Sequence, residues 1–361
     1  MNRKKSSNAL EAVKKAGASL EHGGLHSRTV VDIQRKTISA PPVTPIDSAP
    51  SERTKIVMRR FATVCIAKGV DALVQEFNDL KVSCPTANQL NHATFDKHPE
   101  KNRYKDIICV EDNRVKLIWP PGTTSDYIHA NLIKGLPDMD KQVICTQGPT
   151  KDTVEDFWRM IWQEKSSAII MLCSVMENGK KKCEQYWPEK QGQTMNVANL
   201  SIQNTGVEIV GKDLKYTKLI VSGIGSDGGV RKHTVNHVLW SEWPDKISAI
   251  RDRVPLTSTG ALRLIFRTQT FSPSVVHCSA GVGRTGTIVA LECCMRVLNA
   301  GNELSVYNVV KILRSQRFLA CQTDLQYLYV HRSILAFITS KNILPVETVS
   351  NFVTDYGTVF T

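Results

Sequence analysis

The stretch from Pro273 to Gly286, PSVVHCSAGVGRTG, constrains this chain more than any other. Val275 and Val276 are β-branched and apolar, and read as the end of a short buried strand. The strand stops at His277 and Cys278. Small residues follow, Gly281 and Gly283 among them, and then Arg284. Beyond Arg284 the period changes. Ile288, Leu291, Met295 and Leu298 recur at helical spacing, and Gly301 stands where such a helix commonly stops. The predicted unit is a strand, a tight glycine-bearing loop and a helix N-terminus.

Such a unit binds anions. Backbone N–H groups of a tight loop can converge on one centre, and a helix N-terminus adds unpaired donors. Arg284 offers a planar fork for two phosphate oxygens. The residues between it and Cys278, namely Ser279, Ala280, Gly281, Val282 and Gly283, carry no long or acidic side chain to obstruct the cradle. A free thiol has a pKa of about 8.5, lowered by helix N-termini and cations. Cys278 at the mouth of the cradle is therefore expected to be nucleophilic, with attack on a bound phosphoryl group as its chemistry.

HCSAGVGRTG resembles the phosphate-binding signature of the cysteine-dependent, tyrosine-specific (non-receptor-type) protein tyrosine phosphatases. Other stretches resemble the same family. KNRYKDI (101–107) is similar to the loop that sets the depth of the phosphotyrosine pocket, with Tyr104 to flank the substrate ring and Asp106 to accept its backbone N–H groups. Lys105 beside them suits acidic peptides. DYIHAN, TQGP and DFWRM resemble scaffold segments. MENGKKKCEQYWP (176–188) is similar to a mobile loop whose match makes Glu177 the partner of Arg284 and sends Lys182 towards the acid loop. WPD at 243–245 resembles that acid loop, with Asp245 as general acid and base. RFLACQTDLQYLYV (317–330) resembles the glutamine loop, in which Gln322 places the hydrolytic water and Gln326 assists. Thr285 is expected to hydrogen-bond Cys278, and His277 to orient the cysteine region rather than act as a base.

The resemblance covers about residues 53–340. It implies an α/β (α+β) fold, a highly twisted mixed sheet flanked by helices on both sides. It implies hydrolysis of phosphotyrosine in proteins through a phospho-cysteine, with tyrosine-phosphorylated proteins as partners and neither cofactor nor metal. The chain departs from the pattern after Asp245. The family's glycine two residues on is replaced by Ile247, and no proline follows soon. Closure of that loop, and hence turnover, is the point at issue. A weakly active or inactive phosphotyrosine-binding module is the alternative. A dual-specificity or lipid phosphatase is a second, opposed by the KNRY and glutamine loops.

Charge and cysteine usage bound the remainder. The formal net charge is +12, and residues 1–60 carry +7 of it. Residues 1–52, rich in Lys, Ser, Ala and Pro, read as a basic disordered arm, with a short helix allowed near Leu10 to Ala18. The arm suits acidic partners. A nucleic-acid adaptor role rests on these residues alone and is not expected. Ten scattered cysteines without CxxC spacing point to a reducing, cytoplasmic setting rather than disulfides or zinc. No run of eighteen apolar residues suggests a transmembrane helix. The N-terminal residues lack a signal-type apolar segment, and Asn2 stands where myristoylation needs glycine. Phe61, Cys65, Val70, Leu73, Phe77 and Leu80 predict two short helices interrupted near Gly69. Residues 191–240 alternate as antiparallel strands. A helix is expected over 257–270, and residues 341–361 read as a patternless tail.

Overall fold

The computed structural model describes residues 50–140, 142–210, 214–225, 228–241, 243 and 272–359. Most of the arm expected at 1–52, its short helix, the candidate acid Asp245 with the residues after it, and the helix expected over 257–270 lie outside the described residues.

Nine strands form one mixed sheet. In chain order they are β1 (Arg114–Lys116), β2 (Tyr127–Ile133), β3 (Val143–Thr146), β4 (Ala168–Met171), then, after a small hairpin of β5 (Met176–Glu177) and β6 (Lys180–Lys181), β7 (Thr194–Val197), β8 (Leu200–Val210), β9 (Leu214–Ile224), β10 (Val230–Trp240) and β11 (Ser274–His277). Their spatial order is β1-β2-β3-β11-β4-β10-β9-β8-β7. The centre is parallel, with β11 between β3 and β4 and β10 beside β4. The flanks are antiparallel. Every residue of β3, β4 and β11 is buried. Parallel strands covered on both faces read this way, as unbroken apolar runs. The antiparallel strands expected over 191–240 are present as β7 to β10.

The helices that matter for the site are α1 (Glu52–Ser83), α2 (Ala93–Lys97), α3 (Val154–Gln163), α4 (Gly283–Asn299), α5 (Val306–Gln316), α6 (Asp324–Ser340) and α7 (Ser350–Thr358). Gly69 breaks α1 with φ 70 and ψ 175, so α1 is two helices meeting at a kink, where the sequence put the interruption. Ser51 caps its start by accepting from the Thr54 amide. Its inward residues Val57, Met58, Ala62, Cys65, Leu73, Phe77 and Leu80 join the main core. The start of α1 is tied to the end of α4, where Arg53 donates to the Gly301 carbonyl at 2.9 Å. Gly301 takes φ 73 as that helix ends, the role its position suggested.

The tail expected at 341–361 is corrected. A 3-10 turn (Val346–Val349) leads into α7, which packs against α1 and α6. Val349, Phe352 and Tyr356 are buried. Their spacing of three and four residues puts them on one helical face. The segment is short, and an isolated helix of that length does not form in water. Packing rather than propensity therefore holds it. Phe352→Ala is expected to lower the free energy of unfolding by about 3 kcal/mol, measured by urea unfolding. A change below about 0.5 kcal/mol, the size of an ordinary surface substitution, would contradict a core role for α7.

Candidate active site

β11 delivers Cys278 to the carboxyl end of the parallel centre, and α4 begins five residues later. Ligands of open α/β sheets bind at that end of the strands. The loop between them is organised through its carbonyls. The Cys278 carbonyl faces His277 Nδ1 at 3.1 Å. The Ser279 carbonyl accepts from the Gly148 amide at 2.9 Å. The Ala280 and Gly281 carbonyls accept from Arg317, each at 2.9 Å. The Val282 carbonyl accepts from the Cys321 amide at 3.1 Å. In a trans peptide the N–H points opposite to the C=O. Five carbonyls held outward therefore turn the amides of residues 279 to 283 inward. One of these is seen directly, the Gly281 amide lying 3.2 Å from Cys278 Sγ. Gly281 takes φ 69, and a Cβ there would stand 2.0 Å from the Thr146 carbonyl oxygen, so only glycine fits.

Cys278 is 4% exposed and lines the loop floor. His277 behind it is fully buried. A carbonyl only accepts, so the proton sits on His277 Nδ1, and Nε2 accepts from the Tyr186 hydroxyl at 2.7 Å. The Tyr186 oxygen in turn takes a bond from His237 Nε2 at 2.8 Å. Burial pushes His277 down to about 4. It stays neutral there and directs the Cys278 peptide, a geometry that suits orientation rather than proton transfer.

Arg284, on the first turn of α4, is 1% exposed. Its two terminal nitrogens hold both oxygens of Glu177 at 2.7 and 3.1 Å, and one also donates to the Trp243 carbonyl at 3.1 Å. Burial opposes the charge, but the Glu177 carboxylate and the Cys278 sulfur raise the guanidinium above its ordinary value. Glu177 sits on a two-strand hairpin turned by Asn178 and Gly179 at φ 49 and 71, the backbone that an Asn-Gly pair favours. Trp243 is buried against Trp240 and Tyr329.

The KNRY segment reaches the same loop. The Tyr104 hydroxyl lies 2.8 Å from Ser279 Oγ, which donates to the Lys182 carbonyl at 3.0 Å. Arg103 binds the Gly148 and Pro149 carbonyls at 2.9 and 2.6 Å, fixing the segment to the QGP turn. Asp106 is exposed beside it. On the other side Gln326 is buried, and its Oε1 accepts from the Gln322 and Thr323 amides at 2.7 and 3.3 Å. A Cβ on Gly283 would fall 2.7 Å from the Gln326 side chain, so that side chain abuts the cysteine loop. Gln322 is exposed.

One expectation is corrected. The buried Thr285 hydroxyl has no hydrogen-bond partner among the described residues, and it makes no bond to Cys278. The sulfur faces the Gly281 amide instead. The residues that sequence reasoning passed over are those behind the loop: Arg317, His129, Tyr186 and His237. Among the described residues no group of three His, Cys, Asp or Glu is arranged to hold a metal.

The family model for protein-tyrosine phosphatase matches residues 98–336. Human receptor-type tyrosine-protein phosphatase alpha is 34% identical over 269 residues, covering 72% of this chain and 32% of that protein. Human tyrosine-protein phosphatase non-receptor type 9 is 31% identical over 307 residues, covering 78% of this chain and 50% of the relative. The chain thus spans half or less of these curated relatives. A solved structure of PTPN18, concerned with distinct HER2 tyrosine phosphorylation sites, superposes with a TM-score of 0.68 at 27% identity, over 78% of this chain and 99% of that one.

The neutral buried histidines give an acid-stability prediction. Burial, aided at His129 by the Arg317 charge, pushes His129 down to about 3, and burial pushes His277 and His331 to about 4, from 6.5. Below 6.5 the unfolded chain takes protons that the fold refuses. The contribution of each is full above 6.5 and is lost as pH falls towards its folded value. Each is expected to add a slope of about 1.4 kcal/mol per pH unit across that window. Urea unfolding over a pH series should show a shallower slope, by one such step, in His277→Gln. Equal slopes would refute the assignment.

Proposed function

The chain belongs to the protein-tyrosine phosphatase family, and from that premise we propose that it hydrolyses phosphotyrosine in proteins through a phospho-cysteine. The observation that carries the reading is the cysteine loop, whose carbonyls are held outward, whose Gly281 amide faces the Cys278 sulfur at 3.2 Å, and which runs into the helix that bears Arg284. Phosphate enters over the loop, and its oxygens take the amides of 279 to 283 and the Arg284 fork. Tyr104 flanks the phenyl ring. The Cys278 thiolate attacks phosphorus, the P–O bond to tyrosine breaks, and Asp245 protonates the departing oxygen. Gln322 then places a water, Asp245 takes its proton, and the S–P bond breaks to give inorganic phosphate. A covalent intermediate splits one difficult step into two, and the amides stabilise the equatorial charge in each. Glu177 holds Arg284, and Lys182 reaches towards the acid loop.

Restriction to phosphotyrosine is supported by the tie between Tyr104 and Ser279, which fixes a wall beside the cradle. The PTPN18 relative, studied on HER2 tyrosine phosphorylation sites, supports tyrosine-phosphorylated proteins as the substrate class. Ten free buried cysteines accord with a reducing, cytoplasmic setting. Ile247 in place of glycine keeps a second reading in view, a phosphotyrosine-binding module with little turnover.

Turnover of phosphotyrosine and phosphoserine peptides of one sequence tests the proposal. Wild type is expected to hydrolyse the first and spare the second. Cys278→Ser is expected to lose turnover, and Asp245→Ala to slow it by about 10²–10⁴-fold while retaining ligand. Tight binding with no release of phosphate by the wild type would establish the binding module instead.

A further inference from the structure

Arg317 caps the end of α5 and is fully buried. Its guanidinium makes four hydrogen bonds. Nε donates to the Gly281 carbonyl and Nη2 to the Ala280 carbonyl, each at 2.9 Å. Nη1 donates to Asn131 Oδ1 at 2.8 Å and to His129 Nδ1 at 3.1 Å. The state of His129 follows from its other nitrogen, which lies 2.8 Å from the Ile107 carbonyl. That oxygen only accepts, so the proton is on Nε2 and the Nδ1 lone pair faces Arg317. All four acceptors are therefore neutral, and no carboxylate pairs with Arg317 among the described residues. Burial lowers the guanidinium from its ordinary value, yet arginine keeps its proton at any working pH. A buried cation without a counter-ion is held at a free-energy cost, so a role that uses the charge is indicated.

The bonds to residues 280 and 281 give that role a direction. They account for two of the five outward carbonyls of the cysteine loop, those of the peptide units whose N–H groups belong to Gly281 and Val282. We propose that Arg317 is a positioning residue for phosphate recognition. It aims the Gly281 and Val282 amides into the cradle, and its uncompensated charge beneath the loop favours a doubly charged oxyanion there. This deepens the reading above and rests on it for the identity of the anion.

Binding of tungstate to the 361-residue chain, followed by calorimetry, tests the proposal without needing turnover. Arg317→Lys keeps the charge but cannot grip two carbonyls and Asn131 together. It is expected to weaken tungstate by about tenfold or more while circular dichroism and the melting curve stay native. Arg114→Lys, which changes a part-buried guanidinium on the edge strand β1 that binds Glu111 and Asp126, is expected to leave tungstate affinity within about twofold, a split that a general loss of structure would not produce. Where turnover is measurable, Arg317→Lys should raise KM and slow phospho-cysteine formation more than its hydrolysis. Independently of any variant, isotope-labelled wild type should show the Gly281 and Val282 amide protons moving downfield on tungstate binding. Native affinity in a folded Arg317→Lys, equal weakening in Arg114→Lys, or unmoved amides would each overturn the proposal. Wild type that binds tungstate without hydrolysing phosphotyrosine would refute the proposed function and leave this inference standing.

Discussion

The site depends on five successive carbonyls being held away from Cys278. A loop of small residues has no reason of its own to turn every amide to one side. The turning is imposed by donors from elsewhere in the chain: His277 from β11, the Gly148 amide after β3, Arg317 after α5 and the Cys321 amide before α6. The sheet order makes this possible. With β11 between β3 and β4, the segments leaving those strands flank the cysteine loop. The two loops that carry Gly148 and Cys321 then close on it from opposite ends of the sequence. Gly286 shows how close that approach is, since a Cβ there would lie 2.3 Å from the Cys321 amide nitrogen.

Behind the loop runs a polar layer that is almost wholly neutral. His277, Tyr186 and His237 form a chain in which each proton has one place to go. His129 and Asn131 do the same for Arg317. Buried polar groups destabilise a fold unless each finds a partner; His237 Nδ1 has none among the described residues, and the bonds that are made fix one arrangement of the rings. Neutrality has a further effect. Carboxylates placed here would offset the positive potential of the loop, and the Glu177 carboxylate is engaged by the arginine it orients.

The strand, the cysteine and the helix N-terminus were legible because their signal is local, a change of period across a run of small residues. The helical break at Gly69 and the antiparallel run over 191–240 were legible for the same reason. The Glu177–Arg284 pair joins residues 107 apart, and only resemblance to a family could suggest it. Arg317 was out of reach by either route. Its partners lie 36, 37, 186 and 188 residues away, and in sequence it is one more cation after an amphipathic helix. Tyr186 was likewise hidden inside a stretch read for its charges. The error over 341–361 was of another kind. Val349, Phe352 and Tyr356 do carry a helical stripe, but one too short to outweigh the polar residues around it until α1 and α6 are in place to receive it.

The geometry also divides the site into a fixed part and a coupled part. The inward amides are set by backbone and buried side chains on strands and helices, so the cradle is preorganised before any anion arrives. Preorganised donors stabilise developing charge without rearrangement. Arg284 differs. Its position is shared between Glu177, on a half-exposed hairpin, and the Trp243 carbonyl, two residues before Asp245 in the chain. A shift of the backbone at Trp243 must act on the Arg284 guanidinium. On the proposed function, a phosphate that draws Arg284 towards itself must act on Trp243, and binding and the placement of the acid-bearing segment meet in one side chain. Under the proposed function Ile247, four residues beyond Trp243 in the chain, bears on the acid and not on the carbonyls that turn the cradle's amides.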